Sequence, residues 1–163
     1  MKTYVAIGCS GDKDYSFLLP FTCLFWRDVI GFEPILFLCS PPTKSLLSAF
    51  RDSSSPRDML IHVVLGDTES MNKATLAQNI RQHAACLLPD DKDSWLMMAD
   101  ADLWPLRKDF YRQHLNYEGK AVLYYSNGDH FQGKKIVLDS FDAGQGFQSI
   151  PTCHVTMRVE DWR

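Results

Sequence analysis

Two carboxylates, Asp100 and Asp102, stand one residue apart at the end of the apolar run Trp95-Leu96-Met97-Met98-Ala99. In an extended chain, side chains at i and i+2 point to the same side, so the two acids form a pincer that can reach one hard divalent cation. A cation held by only two protein carboxylates keeps positions open for substrate phosphates, which is how Mg2+ is commonly used. A plainer reading makes them caps for a helix starting at Leu106, with Pro105 at its first position. A cap needs one acid, and here there are two.

A run this apolar is expected to be a strand buried on both faces, as in the middle of a parallel sheet, and Pro105 stops the ladder soon after. Ligands of open α/β sheets gather at the carboxyl ends of the strands, where this acid pair lies. The elements before it fit such a sheet. Thr3 to Gly8 reads as a first strand that runs into the polar loop Cys9-Ser10-Gly11-Asp12-Lys13-Asp14. Tyr15, Leu18, Leu19, Thr22, Cys23, Trp26, Val29 and Ile30 recur at helical spacing, with Pro20 in the first turn and Gly31 as the stop. A second strand follows over Ile35–Cys39, then a short helix capped by Thr43 and a third strand over Leu60–Leu65, whose His62 reads as a core or edge residue. A long helix opening at 66–70 carries Met71, Ala74, Ala77, Ile80, Ala84 and Leu87 on one side, with Gln78 and Arg81 sharing another. An arginine on the helix that feeds the acid pair is well placed to meet a nucleotide or a diphosphate.

Beyond the pair, a helix is expected over Leu106–Leu115, with Leu106, Phe110 and Leu115 inward. A fifth strand follows over Ala121–Tyr125, then a turn at 126–129 and a partner strand over Ile136–Leu138. The glycine-rich loop from Asp139 to Phe147 has the spacing of neither a P-loop nor a dinucleotide-binding turn. Another strand-like run spans Ile150–Met157. The order β-α-β-α-β-α-β, followed by a mixed β region, predicts an α/β sheet in one domain over 1–163.

Composition narrows the classes. The 163 residues are 45% hydrophobic and 12% aromatic, enough for a sizeable core, and a net charge of −3 with no basic stripe argues against nucleic acid. No stretch approaches the ~20 apolar residues of a membrane span. Five scattered cysteines, Cys9, Cys23, Cys39, Cys86 and Cys153, each in an apolar segment, read as buried thiols of a reducing, cytoplasmic protein.

Asp100-Ala101-Asp102 after a buried fourth strand resembles the DxD motif of GT-A fold glycosyltransferases. The chain looks most like the small glycosyltransferase domains of large algal viruses, which modify capsid glycans. The N-terminal strand with its polar loop, the arginine-bearing helix, and the late Cys153–Met157 strand followed by Glu160-Asp161-Trp162 fit the same order. The resemblance implies a mixed, mostly parallel sheet flanked by helices. It also implies a nucleoside-diphosphate sugar donor, UDP-sugar favoured, bridged to Mn2+ or Mg2+ held by Asp100 and Asp102, and a glycan or glycoprotein acceptor. Donor contacts would come from Gly8, Ser10, Asp12, Gln78, Arg81 and Asp100 to Asp102, with Asp102 the more direct metal ligand. The half over 1–105 would bind the donor and the half over 106–163 the acceptor. Catalytic groups would come from Asp142, Glu160 and Asp161, one serving as base if the reaction inverts. The glycine-rich loop would be a flap. Such enzymes often take a third ligand, commonly His, after the last strand. Here His130 and His154 are the candidates, and a truncated or compact catalytic domain is expected.

Three alternatives remain. A haloacid dehalogenase type phosphatase also places D-x-D after a buried strand, but near the chain start and usually followed by Thr or Val. A sugar nucleotidyltransferase needs a glycine- and lysine-rich first loop, of which Cys9–Lys13 is a poor version. A non-catalytic domain that binds nucleotide or glycan would be indifferent to manganese.

Overall fold

In the computed structural model, which describes residues 1–11, 13–52, 60–64, 72–90, 92–116, 121–123 and 155–163, the apolar runs become the strands of one sheet. These are β1 (Thr3–Cys9), β2 (Glu33–Leu38), β3 (Leu60–Val63), β4 (Trp95–Asp100), β5 (Ala121–Leu123) and β6 (Val155–Arg158). Their order across the sheet is β3-β2-β1-β4-β6-β5. The pairs β1–β2, β1–β4 and β2–β3 are parallel, and β6 runs antiparallel to both β4 and β5. The sheet is thus mixed and mostly parallel. β5 finds its partner in β6; Ile136–Leu138, expected beside it, lies outside the described residues.

Side-chain alternation along the central strands sorts the core into two layers. Val5, Ile7 and Cys9 of β1, with Met97 and Ala99 of β4, face one side. There they meet Leu19, Cys23, Trp26 and Ile30 from the helix α2 (Leu19–Leu24) and the wider π-helical turn Phe25–Ile30 that continues it. Pro20 lies in the first turn of α2, where its missing N–H costs nothing, and Gly31 closes the element at φ +86°. A short helix, α1 (Lys13–Ser16), precedes it, and α3 (Lys44–Asp52) adds Leu46 and Phe50 to the same layer. Thr43 caps α3 by accepting the Leu46 N–H at 3.2 Å.

The other face carries Tyr4 and Ala6 of β1 and Leu96 of β4. Covering it are α4 (Lys73–Ile80), its 3-10 continuation Arg81–Leu87, and α6 (Val159–Trp162). α4 begins at Lys73, capped by the Asn72 side chain on the Ala74 N–H at 2.8 Å; 65–71 lie outside the described residues. Its buried residues are Ala77, Arg81, Ala84 and Ala85, while Ala74 and Leu87 are exposed. Tightening from 3.6 to 3 residues per turn after Ile80 rotates Leu87 off the core stripe, and Ala74 sits in the first turn of α4.

The helix expected over Leu106–Leu115 is two short pieces, α5 (Lys108–Tyr111) and a 3-10 turn at Gln113–Asn116. Its buried residues are Tyr111 and His114; Phe110, expected inward, packs partly buried against the same core, Leu115 is intermediate, and Leu106 is exposed. Tyr111 packs edge-on to Trp26 at 4.9 Å, and His114 lies 5.0 Å from Trp95. Since Tyr111's carbonyl can only accept, His114 Nδ1 carries the proton toward it at 3.1 Å, leaving Nε2 to accept from the Thr3 hydroxyl at 3.1 Å. Burial pushes the His114 pKa down to about 4. Of the cysteines, Cys9, Cys23 and Cys39 are buried, Cys86 is exposed, and Cys153 is outside the described residues. Burial raises the Cys23 thiol to about 12, so it stays protonated. His62 is half-buried, its ring stacked on Phe37 at 5.5 Å. Among the described residues no helix is long and apolar enough to cross a membrane.

Candidate functional site

The acid pair is held from both helical layers at once. β4 ends at Asp100, whose register partner on β1 is Gly8. Both lie on the face that α4 covers. A Cβ on Gly8 would stand 1.9 Å from the Ala77 carbonyl oxygen and 3.1 Å from Arg81 Cγ, so glycine is what lets α4 close on the strand and lets the Arg81 stem pass over it. The Arg81 guanidinium then reaches Asp100 Oδ1 at 2.6 Å and the Ala99 carbonyl at 2.7 Å, while its Nε donates to the Gln78 carbonyl at 3.2 Å. Arg81 is 2% exposed, and a cation buried this deeply requires such partners.

From the opposite layer, the Thr22 hydroxyl of α2 donates to the Ala101 carbonyl at 2.7 Å. Trp104 Nε1–H donates in turn to Thr22 Oγ1 at 3.0 Å. The turn carrying the two acids is therefore clamped at three successive residues, and Asp102 projects from it, exposed. Among the described residues no hydrogen bond or ion pair reaches Asp102. Neither acid caps a helix: α5 starts at Lys108 with Arg107 as its uncapped N-terminal neighbour. The capping explanation of the pair therefore fails, since after Pro105 no helix begins before Lys108.

Asp100, Ala101 and Asp102 form one wall of a cleft of about 240 Å³. Gly8 and Ser10 at the end of β1 form the floor, and Gln78 of α4 is on the far wall. Six of the residues read from sequence as donor contacts thus converge on one cavity. The loop from β1 is braced by β2: Cys39 N–H donates to the Cys9 carbonyl at 2.9 Å, and Ser40 Oγ donates to the Ser10 carbonyl at 2.9 Å. Gly11 bends here at φ +89°, where a side chain would also meet Ser40.

Arg81 is placed differently from what its sequence position suggests. Its guanidinium lies beneath the acid pair and is committed to Asp100 and Ala99, so it orients the acid and presents no open fork to a diphosphate. Glu160 and Asp161 are not brought to the pair. β6 runs antiparallel to β4 with Arg158 opposite Trp95, and Val159 N–H bonds the Ser94 carbonyl at 3.0 Å. α6 therefore lies at the start of β4, five residues or about 17 Å of strand from Asp100. Asp12, Asp142, His130, His154 and the glycine-rich loop are outside the described residues.

Sequence periodicity alone missed three participants. Tyr15 fits a helical core stripe, yet it is 46% exposed and lines the cleft. Thr22 falls on the same stripe, and only the close approach of α2 to the acid turn shows why it is polar. Trp104 follows the motif by two residues, and its sequence position assigns it no role; it is 43% exposed and bonds Thr22.

The chemistry on offer is that of hard oxygen donors. No cluster of three or more Asp, Glu, His or Cys side chains gathers among the described residues. Protein ligands to a cation here would be the two acids, one freely accessible and one with an oxygen already tied. The chain matches no protein-family model, and no curated protein is similar to it at a significant level.

Proposed function

We propose that the chain is a metal-dependent glycosyltransferase of the GT-A kind, moving a sugar from a nucleoside-diphosphate sugar, UDP-sugar favoured, to a glycan or glycoprotein acceptor. One observation carries the reading: two carboxylates at the carboxyl end of the central strand face a cleft built from the β1 loop and α4, and one is oriented by a buried arginine. The mixed, mostly parallel sheet is in keeping with it.

The donor set suits Mn2+ or Mg2+, which prefer carboxylate oxygens and retain open positions for phosphate. When bound, the ion neutralises charge that grows on the leaving diphosphate. Asp102, exposed and unengaged among the described residues, is the direct ligand. Asp100 is fixed by Arg81 through Oδ1, which leaves it to hold a bound water or a ribose hydroxyl. Gln78 presents its amide to the same cavity, and the Gly8–Ser10 backbone supplies a close, side-chain-poor floor for the nucleotide. A phosphatase would instead need Asp100 as a nucleophile, and a carboxylate clamped by a guanidinium is poorly disposed to attack.

Calorimetric titration with UDP and with GDP, each with and without Mn2+, tests this. Manganese-dependent binding to the wild type that vanishes in Asp102→Ala is expected. Binding of neither nucleotide, or binding indifferent to manganese, would overturn it.

A further inference from the structure

We propose that Trp104 and Phe21 form the stacking platform for a pyranose ring of the acceptor, an assignment that rests on the transferase reading above. The two rings are tilted 45° to each other with centroids 6.3 Å apart, forming an open corner. Phe25 stacks on Trp104 at 5.5 Å and 15°, which covers one indole face. The indole N–H is bonded to Thr22 Oγ1. One indole face and the polar atom are thus both occupied, and Trp104 remains 43% exposed. Phe21 is 54% exposed beside it.

The surroundings select the occupant. Trp104 lies two residues past Asp102 and is linked through Thr22 to the Ala101 carbonyl, so the platform is continuous with the acid turn. It does not line the nucleotide cleft, which separates it from the donor's base and ribose. In sequence, exposed Asp102 precedes Trp104 by two residues and the exposed Arg107–Asp109 ion pair follows it. A ligand with an apolar C–H face and hydroxyl edges fits that mixture: aromatic carbon against one, hydrogen-bonding groups for the other.

Saturation-transfer NMR on the full chain with methyl glycosides of glucose, galactose, mannose and fucose, in the presence of UDP, GDP and Mn2+, tests the assignment. At least one glycoside should receive saturation at its ring C–H protons. That signal should drop at least tenfold in Trp104→Ala and in Phe21→Ser, while Trp104→Phe keeps part of it. Phe21→Ser removes an exposed ring, so its loss of signal with an unchanged melting temperature separates stacking from misfolding. If nucleotides bind the wild type but no glycoside does, or the signal survives both substitutions, the platform is overturned and the donor reading stands. If neither nucleotide binds the wild type, the donor reading falls and the acceptor assignment falls with it.

Discussion

Asp100 and Asp102 are separated by a single residue, yet their environments differ sharply. Removing Asp100 strands the buried Arg81, which among the described residues retains the Gln78 and Ala99 carbonyls as partners. Asp100→Ala should therefore cost about 2 kcal/mol of stability, less than for a fully buried pair because Asp100 is 35% exposed and water can partly replace it. Asp102→Ala removes an exposed side chain and should leave stability within about 0.5 kcal/mol, while abolishing manganese-dependent nucleotide binding. Urea unfolding of both variants beside calorimetry checks the contrast, and equal stability losses would mean that the two acids share one structural role. Gly8→Ala sets a methyl group against the Ala77 carbonyl, so α4 must move away from β1. A loss of about 1–3 kcal/mol is expected, together with weaker nucleotide binding as Arg81 shifts from Asp100. Retained stability with retained binding would show that the packing of α4 is looser than these distances imply.

At the scale of elements, the pieces after the acid turn are held by side chains more than by their own helical content. α5 and the following 3-10 turn are each four residues long, too short to persist alone. His114 ties them to β1 through Thr3, and it does so as the neutral ring. An unfolded chain protonates this histidine near pH 6.5, whereas the folded chain holds its pKa at about 4. Below pH 6.5 the unfolded state therefore binds a proton that the folded state refuses. The native state is fully favoured above 6.5 and loses up to about 3 kcal/mol as pH falls toward 4. Urea unfolding at pH 7, 6 and 5 should show that slope, and it should flatten in His114→Phe. An identical slope in the variant would place the pH dependence elsewhere.

For the molecule as a whole, the acid turn is a junction. α4 reaches it through Arg81, α2 through Thr22, and β1 and β4 meet beside it at Gly8 and Asp100. A ligand bound in the cleft thus touches elements from both layers and should stabilise the entire fold. With Mn2+ and the preferred nucleotide at about a hundredfold excess over Kd, the gain is about 2.7 kcal/mol, or a rise of roughly 5–10 °C in melting temperature. Nucleotide with EDTA should give much less, and equal shifts with and without metal would count against a metal-bridged diphosphate.

Much of this architecture is legible in local pattern. Buried strands announce themselves as apolar runs, Pro20 and Gly31 punctuate the α2 element, and Thr43 marks the start of α3, because these signals depend on backbone geometry within a few residues. The acid pair is legible for the same reason: its spacing and its place at a strand end are local facts. The role of Arg81 is not local, since a helical position cannot tell whether a guanidinium faces a ligand or lies beneath Asp100. That depends on Gly8, distant in sequence, allowing α4 to approach. Glu160 and Asp161 illustrate the other limit. Their place in the chain suggests the acceptor side, but the antiparallel direction of β6 carries them to the opposite end of the sheet. Residue types and periods determine which segments become strands and helices and which residues could bind a metal. Strand order, strand direction and the closeness of helix packing decide which of those residues meet, because they arise from contacts between segments far apart in the chain.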